Sequence, residues 1–155
     1  MEKQNFFKKH SSLLRSLTFI IGTGLILVAG LLFVILVDLK VKINTNKDTI
    51  FISAWLFFSM IFAVGGGLFY FAGDSVKHKH VRTLIFKGVG FVLSALHIMF
   101  LQAFHAKVNG MIGVSKIALA QANSAYTISL IITIAALVVL AINYVLSIIF
   151  IQEDY

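Results

Sequence analysis

The sequence contains no cysteine and no proline in 155 residues, and only 12% of its residues are charged. Without cysteine, the chain cannot form disulfides, thiolate metal sites, iron–sulfur clusters or a cysteine nucleophile. Without proline, it lacks the residue that most often kinks membrane helices, so the sequence predicts continuous helices. Hydrophobic residues make up 59% of the chain. A water-soluble fold of this length could not bury so much apolar surface.

Acidic residues are also scarce, and none lies within a long apolar run. The six are Glu2, Asp38, Asp48, Asp74, Glu153 and Asp154. Proton or sodium coupling through an intramembrane carboxylate therefore has no obvious carrier, and intramembrane aspartyl proteolysis has no dyad. Since no other catalytic motif is present, we expect the chain not to be an enzyme.

Four stretches reach the roughly 20 apolar residues that are needed to cross a hydrocarbon core of about 30 Å. They are residues 17–37, 50–72, 84–106 and 127–151. The first run is longer than a signal-peptide core, and we expect it to be retained. The connections are too short for a folded domain. The sequence predicts an all-α integral membrane protein, in which residues 1–155 form one four-helix transmembrane bundle with antiparallel neighbours.

The longest connection, residues 107–126, contains apolar residues that alternate with polar ones. Two interpretations fit this pattern. One is a short interfacial helix that ends near Asn123, and the other is an extension of the fourth span.

Lysine and arginine residues are distributed unequally between the two sides of the predicted bundle. The side of the N-terminus and second connection carries Lys3, Lys8, Lys9, Arg15, Lys77, Lys79 and Arg82, with Lys87 just inside the third span; the other side carries Lys40, Lys42, Lys47, Lys107 and Lys116. Cytoplasmic loops carry the excess of these residues, so both termini are predicted to be cytoplasmic. We expect the plasma membrane as the location.

Small and polar residues recur at spacings of three and four along the spans, as expected for packed membrane helices. We call the set on the third and fourth spans the polar seam; it comprises Lys87, Ser94, His97, His105, Thr133 and Asn143. The second span carries a stripe with Ser59, Gly66 and Tyr70. The first span has a weaker stripe, Gly22, Ile26, Ala29 and Phe33, and is expected to be closer to a lipid-facing anchor.

Two residues of the polar seam have competing interpretations. His97, near the centre of the third span, could ligate haem, relay protons or contact a ligand, but a neutral packing histidine is the preferred interpretation because no other predicted span offers a second histidine. Lys87 begins its span and is expected to snorkel, with its ammonium group at the cytoplasmic headgroups. The competing interpretation is a cation that points inward into a substrate cavity. A Ser94–His97 dyad lacks a third orienting group.

The second connection contains a basic segment, formed by Lys77, His78, Lys79, His80 and Arg82. Its two histidines have no convincing further metal ligand, so no metal site is expected. Contact with anionic lipid or with a partner's acidic surface is the better interpretation. The positive charges flank apolar runs, and for this reason we expect no nucleic-acid binding.

These patterns favour a small non-catalytic membrane protein without a cofactor. We expect it to act as an accessory or structural subunit of a larger or homo-oligomeric membrane complex, in contact with a membrane-protein partner or with itself. The alternative is an oligomeric transporter or channel for ions or small solutes, lined by the polar residues of the third and fourth spans.

Overall fold

The computed structural model describes residues 2–40, 46–75 and 80–153, with side chains described within 9–36, 56–74 and 81–150. These residues form four helices: α1 (Glu2–Lys40), α2 (Asn46–Ser75), α3 (His80–Asn109) and α4 (Lys116–Glu153). Each helix contains a segment that is long and apolar enough to cross a membrane: Lys9–Leu36, Leu56–Asp74, Val81–Asn109 and Lys116–Phe150. The chain is therefore an all-helical, multi-pass membrane protein.

The connection between α3 and α4 is much shorter than the predicted one. α3 continues to Asn109, and α4 begins at Lys116. The turn between them is possible because Gly113 adopts a positive φ of 85°, which glycine tolerates without a steric penalty. The Ser115 hydroxyl then accepts a hydrogen bond from the Ala118 amide at 3.1 Å and caps the start of α4. The fourth span is thus extended, and there is no separate interfacial helix in residues 110–126.

α2 and α3 approach each other closely at two glycines. A Cβ atom on Gly90 would lie 2.5 Å from the Tyr70 backbone nitrogen, and one on Gly66 would lie 2.7 Å from the Ser94 backbone nitrogen. Both neighbours are backbone atoms, so neither can move aside without separating the helices. Close approach matters here because lipid offers little reward for burying apolar surface, and packing has to supply the attraction.

α1 contributes as much to the interior as the other helices do. Ile26, Ala29 and Phe33 are fully buried, and Gly22 faces Leu140 of α4 so closely that a Cβ atom would lie 2.7 Å from its Cδ2. The expectation that the first span is mainly a lipid-facing anchor is therefore wrong. The four stripe residues do face the interior, and the large members Ile26 and Phe33 are as fully buried as the small Ala29.

One end of the bundle contains an apolar cluster that all four helices build. It consists of Phe33, Leu56, Leu101, Phe104, Val108, Ala122 and Ala125. The rings of Phe33 and Phe104 meet edge to face, with centroids 5.0 Å apart, a favourable aromatic geometry. The opposite end holds the polar groups described next.

Candidate functional site within the bundle

Lys87 lies on α3, and its side chain points into the bundle, where it is fully buried. Its Nζ donates hydrogen bonds to Asp74 Oδ1 at 2.8 Å, to Ser147 Oγ at 2.9 Å and to Asn143 Oδ1 at 3.1 Å. An ammonium group has three protons to donate, so these three acceptors satisfy it. The snorkelling interpretation of Lys87 is therefore wrong, because interior partners replace the headgroups.

Asp74 is a site residue that the sequence analysis missed. The predicted second span stops at residue 72, where the apolar run ends, but the helix continues to Ser75 and places the carboxylate opposite Lys87. The Asp74 side chain is 37% exposed, whereas that of Lys87 is 1% exposed. The ion pair thus joins the interior to the surface, and the carboxylate offsets a buried charge that would be costly alone.

Asn143 of α4 is the central residue of this arrangement. Its Oδ1 accepts from Lys87 Nζ at 3.1 Å and from the Tyr70 hydroxyl at 2.9 Å. Its Nδ2 donates to the Arg15 carbonyl at 2.7 Å and to Thr18 Oγ1 at 3.1 Å. An asparagine side chain has two protons to donate and two lone pairs to accept with, so its capacity is filled. Through one side chain, α4 is bonded to the other three helices.

Two aromatic rings complete the surroundings of Lys87. The ring centroids of Phe19 and Tyr70 lie 5.3 and 5.4 Å from Nζ, within cation–π range. The Tyr70 hydroxyl has a single proton, which is shared between two acceptors, Asn143 Oδ1 and the Leu140 carbonyl oxygen, the latter at 2.8 Å. Tyr70 was visible in the sequence only as a member of the second-span stripe. We call this group the polar cluster; it comprises Thr18, Phe19, Tyr70, Asp74, Lys87, Asn143 and Ser147.

His97 lies outside the polar cluster, on the same helix and fully buried. Its Nδ1 is 2.7 Å from the Ser59 hydroxyl oxygen and 3.0 Å from the Ser59 carbonyl oxygen. Its Nε2 has no hydrogen-bond partner within the described part of the chain. Ser94 instead donates to the Gly90 carbonyl at 2.8 Å, so Ser94 and His97 do not form a dyad.

The rest of the predicted polar seam is spread along the bundle. Thr133 is buried and donates to the Ser129 carbonyl at 2.6 Å. His105, partly exposed, stacks on Tyr126 with ring centroids 4.3 Å apart. Lys87 and Asn143 do come together, whereas Gly90 packs against the backbone of Tyr70 and Gly66.

The predicted basic segment falls mostly outside the described residues. Lys77, His78 and Lys79 lie between α2 and α3, in a part of the chain that is not described, and His80 is described only as the first residue of α3. Arg82 is exposed. Contact of this segment with lipid or a partner remains a prediction.

Neither of two surface grooves is lined by the polar seam or the polar cluster. One, of about 560 Å³, runs along Lys9, His10, Ser12, Leu13 and Ser16. The other, of about 440 Å³, lies between α3 and α4 and is lined by Val81, Leu84, Ile85, Gly88, Val89, Val92, Leu93 and Tyr144. Within the described ranges, no group of three or more histidine, cysteine, aspartate or glutamate side chains is arranged to hold a metal ion.

Comparison with known proteins adds no relative to this description. No protein-family model, curated protein or solved structure matches the chain. The function has therefore to be inferred from the residues themselves, above all from those that are buried, charged and hydrogen-bonded within the membrane-spanning segments.

Proposed function

We propose that this chain is a small non-catalytic membrane protein that serves as an accessory or structural subunit of a larger or homo-oligomeric membrane complex. The observation that carries the proposal is the saturation of Asn143 and Lys87 by partners within the bundle. Polar groups that line a transport path need unoccupied hydrogen-bond donors or acceptors with which to bind a passing solute. The hydrogen-bonding capacity of Asn143 and Lys87 is already occupied by partners on neighbouring helices. The bundle is then a scaffold that acts through its outer surface.

The proposed scaffold has antiparallel neighbouring helices. Contacts support this arrangement: Lys87 meets Ser147 near the start of α3, whereas Asn109 at the end of α3 meets Asn123 near the start of α4. In the same way, α2 contacts α3 through Asp74 and Lys87 at one level and through Ser59 and His97 at another. Rising residue numbers on one helix accompany falling numbers on its neighbour.

We place both termini in the cytoplasm and the protein in the plasma membrane. The excess of lysine and arginine on the side of the N-terminus and second connection supports this orientation. Since the chain has no native cysteine, single-cysteine variants can test it directly. Arg82→Cys should resist a membrane-impermeant maleimide in intact cells, whereas Ile112→Cys, whose site is 96% exposed, should react. The reverse pattern would contradict the orientation.

The lipid-facing surface offers the contact area that a subunit needs. Large apolar side chains are exposed on every helix, among them Val28, Phe57, Val92 and Ile131. Many face lipid, but any subset that contacts a partner should be revealed by cross-linking. Anionic lipid is expected to contact the basic segment that includes Arg82.

The test is cross-linking in native membranes with single cysteines at these exposed positions. We expect at least one of Val28→Cys, Phe57→Cys, Val92→Cys and Ile131→Cys to give a product of discrete mass, with a partner or with a second copy. Ala136→Cys, at a fully buried position, is the matched control and should give none. If every variant runs as a monomer and a pull-down returns no stoichiometric partner, the proposal is refuted.

A transporter or channel is the second candidate, and one observation favours it. His97 Nε2 and Ser129 Oγ are buried polar atoms that lack partners within the described residues, so part of the seam retains unused hydrogen-bonding capacity. Flux of ions and small solutes into proteoliposomes separates the two functions. Flux above that of empty vesicles that falls in His97→Ala would establish transport, and the accessory role predicts none.

A further inference from the structure

The groove of about 440 Å³ between α3 and α4, here called the α3–α4 groove, lies on the outer surface of the bundle. Its lining residues Val81, Ile85 and Val92 are more than half exposed, whereas Gly88 and Tyr144 are partly buried. Valine and isoleucine side chains keep one strongly preferred rotamer in a helix, so this wall of the groove is rigid. The groove is therefore a preformed apolar surface.

The depth of the α3–α4 groove in the bilayer matches one leaflet. The segment Val81–Asn109 has 29 residues, about 44 Å at 1.5 Å per residue, which is close to the thickness of a bilayer with its headgroups. Its first residues therefore lie at the level of the headgroups. From Val81 the groove continues to Leu93, about 18 Å further along α3, and the hydrocarbon part of one leaflet is about 15 Å thick.

This length favours a lipid acyl chain over a helix of a partner protein. A transmembrane helix crosses both leaflets, so a groove that receives one should continue along the whole of α3. The α3–α4 groove instead stops at Leu93, well before α3 ends at Asn109. An acyl chain that hangs from a headgroup beside the start of α3 ends at the same depth as the groove.

Arg82 adds a positive charge at the headgroup end of the groove. It precedes Val89 and Leu93 by seven and eleven residues, so the three residues lie on one face of α3. The Arg82 side chain is exposed and forms no ion pair within the described part of the chain. A guanidinium group binds phosphate oxygens with two parallel hydrogen bonds. The charge therefore complements the headgroup of an anionic lipid.

The Tyr144 hydroxyl provides a second polar group, inside the groove. Its oxygen lies 3.5 Å from the position that a Cβ atom on Gly88 would occupy, so the missing side chain of Gly88 leaves room beside it. The hydroxyl bonds to no other residue that the structure describes, whereas the Tyr70 hydroxyl has two acceptors. The ester carbonyl oxygens of a phospholipid, which lie between phosphate and acyl chain, can accept the Tyr144 proton.

We infer that the α3–α4 groove binds one anionic phospholipid of the surrounding bilayer, with an acyl chain between Val81 and Leu93 and the phosphate on the Arg82 guanidinium. Tyr144 donates to an ester oxygen of the same lipid. The inference goes beyond the accessory role and holds whether or not the chain joins a larger complex. It also holds for either orientation in the membrane, because it depends on the level of Arg82 in α3 alone.

The probe is phosphatidylglycerol that carries a photoactivatable diazirine halfway along one acyl chain. It is a minor component of phosphatidylcholine vesicles that contain the full chain, and mass spectrometry of the irradiated protein locates the labelled residues. The same diazirine on phosphatidylcholine measures contact without a net headgroup charge. Arg82→Gln removes the proposed phosphate contact. Lys116→Gln is its matched control, because Lys116 is an exposed cation at the start of α4.

A second pair of variants tests the place of the acyl chain. A Cβ atom on Gly88 would make an ordinary contact with Tyr144 at 3.5 Å, and one on Gly65 would meet no atom within 4 Å. Both positions therefore accept a side chain, but only Gly88→Leu fills the α3–α4 groove. Gly65→Leu on α2 is the matched control.

In the unaltered protein we expect phosphatidylglycerol to label residues 84–93 about fivefold more than phosphatidylcholine, the effect of one arginine beside an anionic headgroup. Arg82→Gln should abolish this preference, and Lys116→Gln should keep it. Gly88→Leu should reduce labelling of the groove to that of other exposed positions, and Gly65→Leu should leave it unchanged. Tyr144→Phe should lower it about two- to threefold, as expected for one hydrogen bond in a bilayer.

Equal labelling by the two lipids, or labelling spread evenly over the exposed faces of the bundle, would mean ordinary contact with the bilayer and overturn the site. Equal losses in Gly88→Leu and Gly65→Leu would do the same. A protein cross-linked to Val89→Cys in native membranes, in place of lipid, would overturn the choice of occupant. If Gly88→Leu does not fold, Gly88→Ala and Gly65→Ala give the same comparison with a smaller loss, and Arg82→Gln changes only an exposed side chain.

Discussion

Near Lys87 the helices are joined by hydrogen bonds, whereas near Val108 they are joined by apolar contacts. In the polar cluster, Asn143 and Lys87 bond to groups on all the other helices. In the apolar cluster, rings and aliphatic side chains fill the interior. The two clusters lie at opposite ends of α3 and α4, so one pair of helices is stabilised in two ways.

Each kind of contact is favoured in a different surrounding. Burying an apolar side chain is rewarded where water is the alternative surrounding, but not where lipid is. α4, with 38 residues, is about 57 Å long at 1.5 Å per residue and outruns a hydrocarbon core of about 30 Å. Val108, Ala122 and the Asn109–Asn123 contact lie where α3 and α4 extend towards their shared turn. An apolar core is favourable wherever these helix ends meet water, and hydrogen bonds and glycine contacts are favourable wherever the helices meet lipid.

The largest effect is expected when Asn143 is replaced. Asn143→Leu keeps the volume but leaves the Lys87 ammonium and the Thr18 hydroxyl without one partner each, and we expect a loss of about 3 kcal/mol in the free energy of unfolding. Reversible unfolding in mixed micelles measures it. Asn123→Leu on the same helix is the control, because the Asn123 side-chain amide bonds to Asn109, which is exposed. Equal losses in the two variants would mean that the polar cluster contributes nothing special.

The next effect concerns the close approach of α2 and α3 between the clusters. Gly66→Ala places a Cβ atom 2.5 Å from Ser94 Oγ and 2.7 Å from its backbone nitrogen, and we expect a loss of about 2 kcal/mol. The adjacent Gly65 has no atom within 4 Å of the same position. Because alanine favours helix over glycine, Gly65→Ala should leave stability unchanged or raise it by up to about 1 kcal/mol. The same unfolding titration distinguishes them, and a tolerated Gly66→Ala would refute the close contact.

A smaller effect is expected at the apolar end. Val108→Ala removes two buried methyl groups at a position that is 1% exposed, and we expect a loss of about 1.5 kcal/mol. Val92→Ala on the same helix, at a position 57% exposed, should change the free energy of unfolding by less than about 0.5 kcal/mol. If Val108→Ala were as harmless as Val92→Ala, the apolar cluster would not be a core.

The smallest effect separates bonds between helices from bonds within one helix. Thr18 and Thr23 both donate to carbonyls of α1, but only the Thr18 oxygen also accepts from Asn143, at 3.1 Å. We expect Thr18→Val to cost about 1 kcal/mol and Thr23→Val about 0.3 kcal/mol or less. Thermal unfolding in one detergent compares the pair. A larger loss for Thr23→Val would show that bonds between helices are not what stabilises this end.

The spans were predictable from the sequence because hydrophobicity over about 20 residues is a direct consequence of bilayer thickness. The same rule left Asp74 outside the second helix. An apolar run ends where the side chains become polar, but the helical backbone continues to Ser75. A backbone in or near lipid keeps its internal hydrogen bonds whether or not the next side chain is charged. Asp74 could have been found by asking which acidic residue lies nearest to Lys87.

The polar seam was predictable as a set of inward-facing residues but not as a site. Spacing of three and four identifies the face of a helix, but not which neighbour that face meets. The polar seam contains Asn143 of α4, yet the amide of Asn143 bonds to α1 and α2 as well as to α3. Ser59 was likewise known only as a member of the α2 stripe, and its contact with His97 depends on how the helices are rotated.

The pairing of Asp74 with Lys87 also has a consequence for biogenesis. The two residues are thirteen positions apart on consecutive helices, so α2 and α3 can enter the bilayer together with the Lys87 charge already paired. A lysine that entered a membrane alone would raise the cost of insertion. Asn143 follows 56 residues later, on the order of several seconds at usual rates of translation. During that interval Asp74 is the partner on the hairpin that neutralises the ammonium group, and the arrival of α4 completes its coordination.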